Sequence, residues 1–228
     1  MKKKRIIVVS AHPDDEILGV GGTLLRHRNI GNEIYWIIVT SMFKGQEYSD
    51  EKISSRENEI SKVAKCLNVK EIFQLNYPAS GLNSENFQSL IQKISEVFQK
   101  TKPEIIYCPN RNDSHSDHRI VFDAVTACTK SFRYPFIKEI MMYECISETE
   151  FAPAISGNAF MPNCFVDISI VMEEKIQLMK IYASEIGEHP FPRSERNIRA
   201  LATFRGAIAG VEYAESFQIL KSLRIEYL

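Results

Sequence analysis

Short β-branched runs alternate with longer stretches of helical periodicity along most of this chain. Residues 6–10 (Ile6, Ile7, Val8, Val9, Ser10) begin as an unbroken apolar run, the pattern of a parallel strand covered on both faces. A helix is predicted over 17–29, stopped by Gly31 just past its end. Residues 34–40 read as a second strand, 51–67 as a second helix and 71–75 as a third strand. Phe87, Leu90, Ile91, Ile94, Val97 and Phe98 recur at helical spacing, with Ser84 as a candidate cap. Pro103 interrupts the chain, 104–108 supplies a fourth strand, and a helix over 117–130 and a strand over 137–144 continue the alternation. Beyond Cys145 the pattern loosens: a strand at 164–168, a helix over 170–183 and two more helical stretches to the end are predicted.

This alternation implies right-handed crossovers and an α/β fold: a Rossmann-like, doubly wound, mostly parallel sheet flanked by helices, with a C-terminal helical elaboration. The chain has 228 residues and shows no repeat, low-complexity tract or Gly/Ser linker. One domain over 1–228 is expected, with a core over about 1–145 and the elaboration over about 146–228. In such sheets ligands bind beyond the carboxyl ends of the strands. The polar runs at 12–16 and 115–118, which follow the first and fourth strands, therefore share one rim.

Composition narrows the class. With 44% apolar and 25% charged residues and a net charge of -1 the chain reads as an ordinary globular protein. No overall field favours nucleic acid or an anionic membrane. The basic start Lys2-Lys3-Lys4-Arg5 precedes only four apolar residues, too few for a secretory signal, and no later run approaches the about 18 apolar residues of a membrane span. The five cysteines are scattered and never form C-x-x-C, so a cytoplasmic location without disulfides is expected. Cys108 lies close to the shared rim; it ends a buried strand, where most thiols are inert packing groups.

The first polar cluster is Ala11-His12-Pro13-Asp14-Asp15-Glu16. Consecutive carboxylates after a buried strand are costly unless neutralised, either by the amides of a helix N-terminus or by a bound cation. Glu16 can serve simply as a capping residue. The second cluster, Asn112-Asp113-Ser114-His115-Ser116-Asp117-His118, interleaves histidines with carboxylates at a loop-to-helix junction, where Asp117 is also a candidate cap. Imidazoles and carboxylates meeting on one rim suit zinc, with three protein ligands leaving an open position for catalysis. A spare carboxylate and a spare histidine can then move protons or steady an oxyanion. Gly19-Val20-Gly21-Gly22 fails the G-x-G-x-x-G dinucleotide pattern, and an acidic triplet occupies the turn a pyrophosphate would need; close helix packing is the better reading.

With these residues in view, the chain resembles the PIG-L/LmbE-like family of zinc-dependent N-deacetylases. A-H-P-D-D-E at 11–16, continuing into G-x-G-G-T at 19–23, and H-x-D-H at 115–118 carry the resemblance. Thr40, Ser55-Arg56-Glu57-Asn58-Glu59, Arg205-Gly206 to Gly210, and Tyr213-Ala214-Glu215-x-Phe217 extend it with less specificity. The resemblance implies His12, Asp15 and His118 as ligands of Zn2+, which Fe2+ can replace. It implies Asp14 as general base, His115 as oxyanion stabiliser or acid, Asp117 as the group orienting His115, and Arg56 as a contact to sugar hydroxyls. The implied reaction removes an acetyl group from an N-acetylated amino sugar. The implied partner is a small acetamido sugar, with a homo-oligomer expected from the habit of relatives. An amidase acting on a thiol conjugate or non-sugar amide, and a metal-carrying protein without turnover, are the alternatives.

This chain departs from the family pattern at Ser116, where relatives often carry proline, and at Tyr77-Pro78-Ala79-Ser80-Gly81, a loop where relatives often carry an aspartate. Further on, Glu188-His189-Pro190-Phe191-Pro192-Arg193-Ser194 is stiffened by prolines and concentrates basic groups. It is expected to border the site, with Arg193 meeting an anionic substrate group and His189 beside it; a solvated loop or subunit contact is the alternative.

Overall fold

The computed structural model describes residues 3–43, 48–155, 157 and 159–223. The first five strands, β1 (Arg5–Ser10), β2 (Glu33–Ser41), β3 (Val69–Pro78), β4 (Ile105–Pro109) and β5 (Glu139–Tyr143), are parallel and lie in the order β3-β2-β1-β4-β5. Helices α1 (Asp15–Asn29), α2 (Asp50–Cys66), α3 (Phe87–Thr101) and α4 (Ser116–Ala127) connect them. The strand order reverses between β1 and β4, and this is where ligands bind in sheets of this kind.

Period-two alternation along the strands divides the core between the two faces of the sheet. Ile6, Val8, Trp36, Ile38 and Tyr107 face α1 and α2, whereas Ile7, Val9, Ile37, Ile106 and Cys108 face α3 and α4. The C-terminal part returns to the same sheet. After β6 (Cys164–Asp167), a 3-10 turn (Ser169–Val171), α5 (Met172–Met179) and α6 (Glu195–Ala209), the strand β7 (Ala214–Ser222) inserts between β5 and β6, antiparallel to both.

This arrangement corrects several sequence expectations. The second of the two predicted C-terminal helical stretches is β7: Gly210 ends α6 in the left-handed conformation (φ 76°), and Phe217 and Ile219 then alternate with Ser216 and Gln218. The sheet is accordingly mixed at one edge. The helix predicted over 170–183 shortens to α5 after the 3-10 turn. Ser84 does not cap α3, because Asn83 Oδ1 accepts from the N–H groups of Glu85 and Asn86 and folds these residues into a turn, leaving Asn86 at the cap. Residues 224–228 lie outside the described residues.

The glycines of α1 serve packing. A methyl group on Gly19 would overlap the Tyr143 ring, and one on Gly22 would sit 2.6 Å from Ile168 Cγ2. Among the described residues no helix is long and apolar enough to cross a membrane.

A buried ion pair ties the C-terminal part to α1. Lys175 Nζ donates to Glu215 (2.6 Å) and to the Leu18 carbonyl (3.0 Å). Glu215 also accepts from the N–H groups of Gly22 and Thr23, each at 2.7 Å. Removing one partner of such a pair leaves a buried charge and orphaned amides. Glu215→Ala is expected to destabilise the protein by about 3–5 kcal/mol, measured by denaturant unfolding; a loss below about 1 kcal/mol would show that the pair is not needed there.

Candidate active site and metal centre

The first cluster is shaped where β1 leaves the sheet. Thr40, near the end of β2, donates its N–H (3.0 Å) and hydroxyl (2.7 Å) to the Ala11 carbonyl. The chain then turns so tightly that Asp14 takes φ 122°, a region rarely open to residues with a Cβ. Its neighbours hold that conformation. Glu16 Oε2 accepts from the Asp14 N–H (3.0 Å), Tyr182 donates to Glu16 Oε1 (2.7 Å), and Arg56 donates to the Pro13 carbonyl (2.9 Å). Glu16 is thus a buried brace behind Asp14, its pKa pushed up to about 8 by burial. Asp15 opens α1, and its Oδ2 accepts from the His12 N–H (2.8 Å).

The second cluster begins after β4. His115 caps α4, not Asp117: its Nδ1 accepts from the Asp117 N–H (3.1 Å). With Nδ1 occupied as an acceptor, the proton of a neutral His115 sits on Nε2. The Asp117 carboxylate looks elsewhere. It accepts from the N–H groups of Ser80 (2.7 Å) and Leu82 (3.3 Å) and lies 3.1 Å from His12 Nε2, but 4.0 Å from His115 Nδ1. It therefore anchors the loop after β3, the one where this chain lacks an aspartate, and steadies His12. Its backbone, rather than its carboxylate, engages His115.

The two clusters meet. His118 Nε2 is 3.3 Å from Asp15 Oδ1, and donor atoms of His12, Asp15 and His118 all lie within 4.8 Å of one another. His118 is fully buried; its Nδ1 meets Asp113 (2.9 Å), while its Nε2 has no hydrogen-bond partner. The short approach to Asp15 lacks hydrogen-bond alignment. A buried, unpartnered imidazole nitrogen beside a buried carboxylate is what a cation-binding position requires, and this donor set suits zinc or ferrous iron.

The electrostatics agree. Burial raises Asp14 well above the ordinary carboxylate range, with Asp15 adding to it. Asp15 itself is held well below that range: burial opposes its ionisation, but His118 and His12 outweigh it. Burial likewise opposes charge on His118, yet Asp15 and Asp113 push its pKa well above the usual value. Positive charge is thereby drawn to the centre of this cluster. Burial and His12 lower His115, which favours its neutral form.

A cavity of about 250 Å³ opens onto these groups. His12, Asp14, Asp15 and His115 line it, with Leu18, Met42, Tyr48, Ile53 and Ile60 giving it apolar wall. Arg56 and Arg193 also line it, their guanidinium groups already engaged: Arg56 with Ser184, Glu59 and Glu185, Arg193 with Glu185 and Ser147. His189 is exposed and lies outside this lining. Cys108 is fully buried away from the cavity, its thiol pushed up to about 12 by burial, which removes it as a nucleophile.

Sequence reasoning assigned no role to Asp113, although it stood in the second cluster. Nor did it find Cys145, Ser147 or Glu185, which reach the cavity from distant segments with no local signature.

A fold match supports the architecture more than the reaction. At TM-score 0.77 and 23% identity the chain superposes on N,N'-diacetylchitobiose deacetylase from Pyrococcus horikoshii, covering 96% of this chain and 84% of that one. At TM-score 0.75 and 18% identity it also matches the 4-carboxy-2-hydroxymuconate hydratase from Pseudomonas putida, covering 99% of each. In sequence it is 25% identical to the diacetylchitobiose deacetylase of Thermococcus kodakarensis, over 96% of this chain and 84% of that protein. The family model described as PIG-L, GlcNAc-PI de-N-acetylase, matches residues 7–129, a span that contains every residue of both clusters. The chain belongs to the PIG-L family.

Proposed function

We propose that this protein is a metal-dependent N-deacetylase that hydrolyses the acetamido group of an N-acetylated amino sugar, or of a conjugate of one, to acetate and a free amine. One observation carries the reading. Half-buried His12 and buried Asp15 and His118, with an unpartnered His118 Nε2, bring their donor atoms together beside a cavity lined by His12, Asp15, buried Asp14 and half-buried His115. A site for metal storage alone has no use for Asp14 and His115. Family membership and the activity named for the Thermococcus relative support an N-acetylglucosamine unit as the substrate class.

His12, Asp15 and His118 would hold the metal. When bound, a divalent cation such as zinc, or ferrous iron in its place, supplies Lewis-acid polarisation and brings the pKa of a coordinated water towards about 7. Asp14 accepts the proton of the attacking water, and its burial strengthens its hold on that proton. His115 directs its Nε2–H to the oxygen that becomes negative as the new C–O bond forms. The C–N bond then breaks, and the proton passes from Asp14 to the departing nitrogen. Asp117 keeps His12 and the 79–82 loop in register. Arg56 braces the strained turn at Asp14, and partly exposed Arg193 presents the cavity's wall to the substrate. His189 has no part in this proposal.

Asp14→Asn is expected to retain bound metal and to lose about 100- to 10,000-fold in turnover, the usual contribution of a positioned base. Release of free amine from diacetylchitobiose, beside metal analysis, measures this; full activity in the variant would remove Asp14 from the role. His118→Ala is expected to bind no metal and to gain no activity when zinc is supplied in excess. Arg193→Ala should raise KM about tenfold, equivalent to about 1.4 kcal/mol, with metal content unchanged. An unaltered KM would take Arg193 off the substrate surface.

A further inference from the structure

Two metal-ligand candidates from opposite sides of the site are joined by a closed circuit of side chains and one backbone N–H. His118 Nδ1 meets Asp113 Oδ2 at 2.9 Å. Asp113 Oδ1 accepts from the Thr149 hydroxyl (2.7 Å) and from Asn110 Nδ2 (2.9 Å). Thr149 Oγ1 in turn accepts from the Cys145 N–H (2.8 Å), and the Cys145 thiol donates to Asp15 Oδ1 (3.4 Å). The circuit closes across the 3.3 Å gap between Asp15 Oδ1 and His118 Nε2, the position where a cation is called for. Asp113 is fully buried, with both carboxylate oxygens committed to this circuit.

Resting on the metal-dependent reading above, we infer that Asp113 and Thr149 are positioning residues that couple metal occupancy to the turn running from Cys145 to Thr149. Asp113 fixes the proton of His118 on Nδ1 and so turns the Nε2 lone pair towards the metal, as outer carboxylates do for ligating histidines. Thr149 fixes Asp113, and through the Cys145 N–H it also fixes the turn. Cys145, Ser147 and Glu148 of that turn line the substrate cavity. A second tie runs between the same two segments: Ser114 donates its N–H to the Glu148 carbonyl (3.1 Å) and its hydroxyl to the Glu148 carboxylate (2.8 Å). A metal held by Asp15 and His118 would therefore fix the Cys145–Thr149 wall of the cavity, and loosening that wall would weaken the metal site.

The test titrates the metal-stripped full-length protein with Zn2+ against a competing chelator, and follows hydrogen–deuterium exchange over 145–149 with and without Zn2+. Asp113→Asn is expected to weaken Zn2+ binding about 10- to 100-fold. Thr149→Val, which touches no ligand, should weaken it about tenfold, and Thr149→Ser should restore it. Zn2+ should slow exchange in the turn of the wild-type protein and leave that of Thr149→Val unchanged. Wild-type affinity in Thr149→Val, or a wild-type turn whose exchange ignores Zn2+, overturns the coupling while leaving the deacetylase reading intact. A wild-type protein that binds no Zn2+ overturns both. Should Asp113→Asn fail to fold, the threonine pair decides the matter.

Discussion

Asp15 and His118 lie 3.3 Å apart, both almost wholly buried, and neither can be accommodated there without compensation. One comes from the turn after β1, the other from the helix after β4, and they meet because those strands are neighbours at the reversal of strand order. Asp15, held ionised by His118 and His12, makes a negative centre that a metal ion beside it would answer. Much of the remaining structure can be understood as holding this pair, and the strained Asp14 beside it, in place.

That requirement explains why the C-terminal part folds back onto the parallel core. The segment after α5 supplies Tyr182, which braces Glu16, together with Ser184 and Glu185, which grip Arg56, and further on Arg193. β7 contributes Glu215, which reaches under α1, the helix that begins at Asp15. Without these supports the conformation of Asp14 at φ 122° would relax. The C-terminal part is thus a scaffold for the reactive turn as well as one wall of its cavity.

The alternating core and the shared rim were legible in the sequence, because strand periodicity and the position of a polar run after a strand are local properties. The division of Asp14 and Asp15 between base and ligand was not: both are buried, adjacent and acidic, and only family resemblance separated them. Asp117 was assigned to His115, but its carboxylate turns to His12 and the 79–82 loop, a choice decided by distant backbone amides. Asp113 could not be singled out without Thr149, which lies 36 residues away. β7 read as helix because its alternation is short and follows a true helix without a proline. The same fold in a hydratase shows that architecture alone would not have named the reaction.

His12, Asp15 and His118 form the proposed seat of a catalytic metal. Anomalous diffraction from crystals of the zinc-loaded protein tests it most directly. One strong peak per chain is expected at the zinc edge, about 2.0–2.2 Å from a nitrogen of each histidine and an oxygen of Asp15. A peak held by a different set of residues, or no peak between α1 and α4, would contradict it.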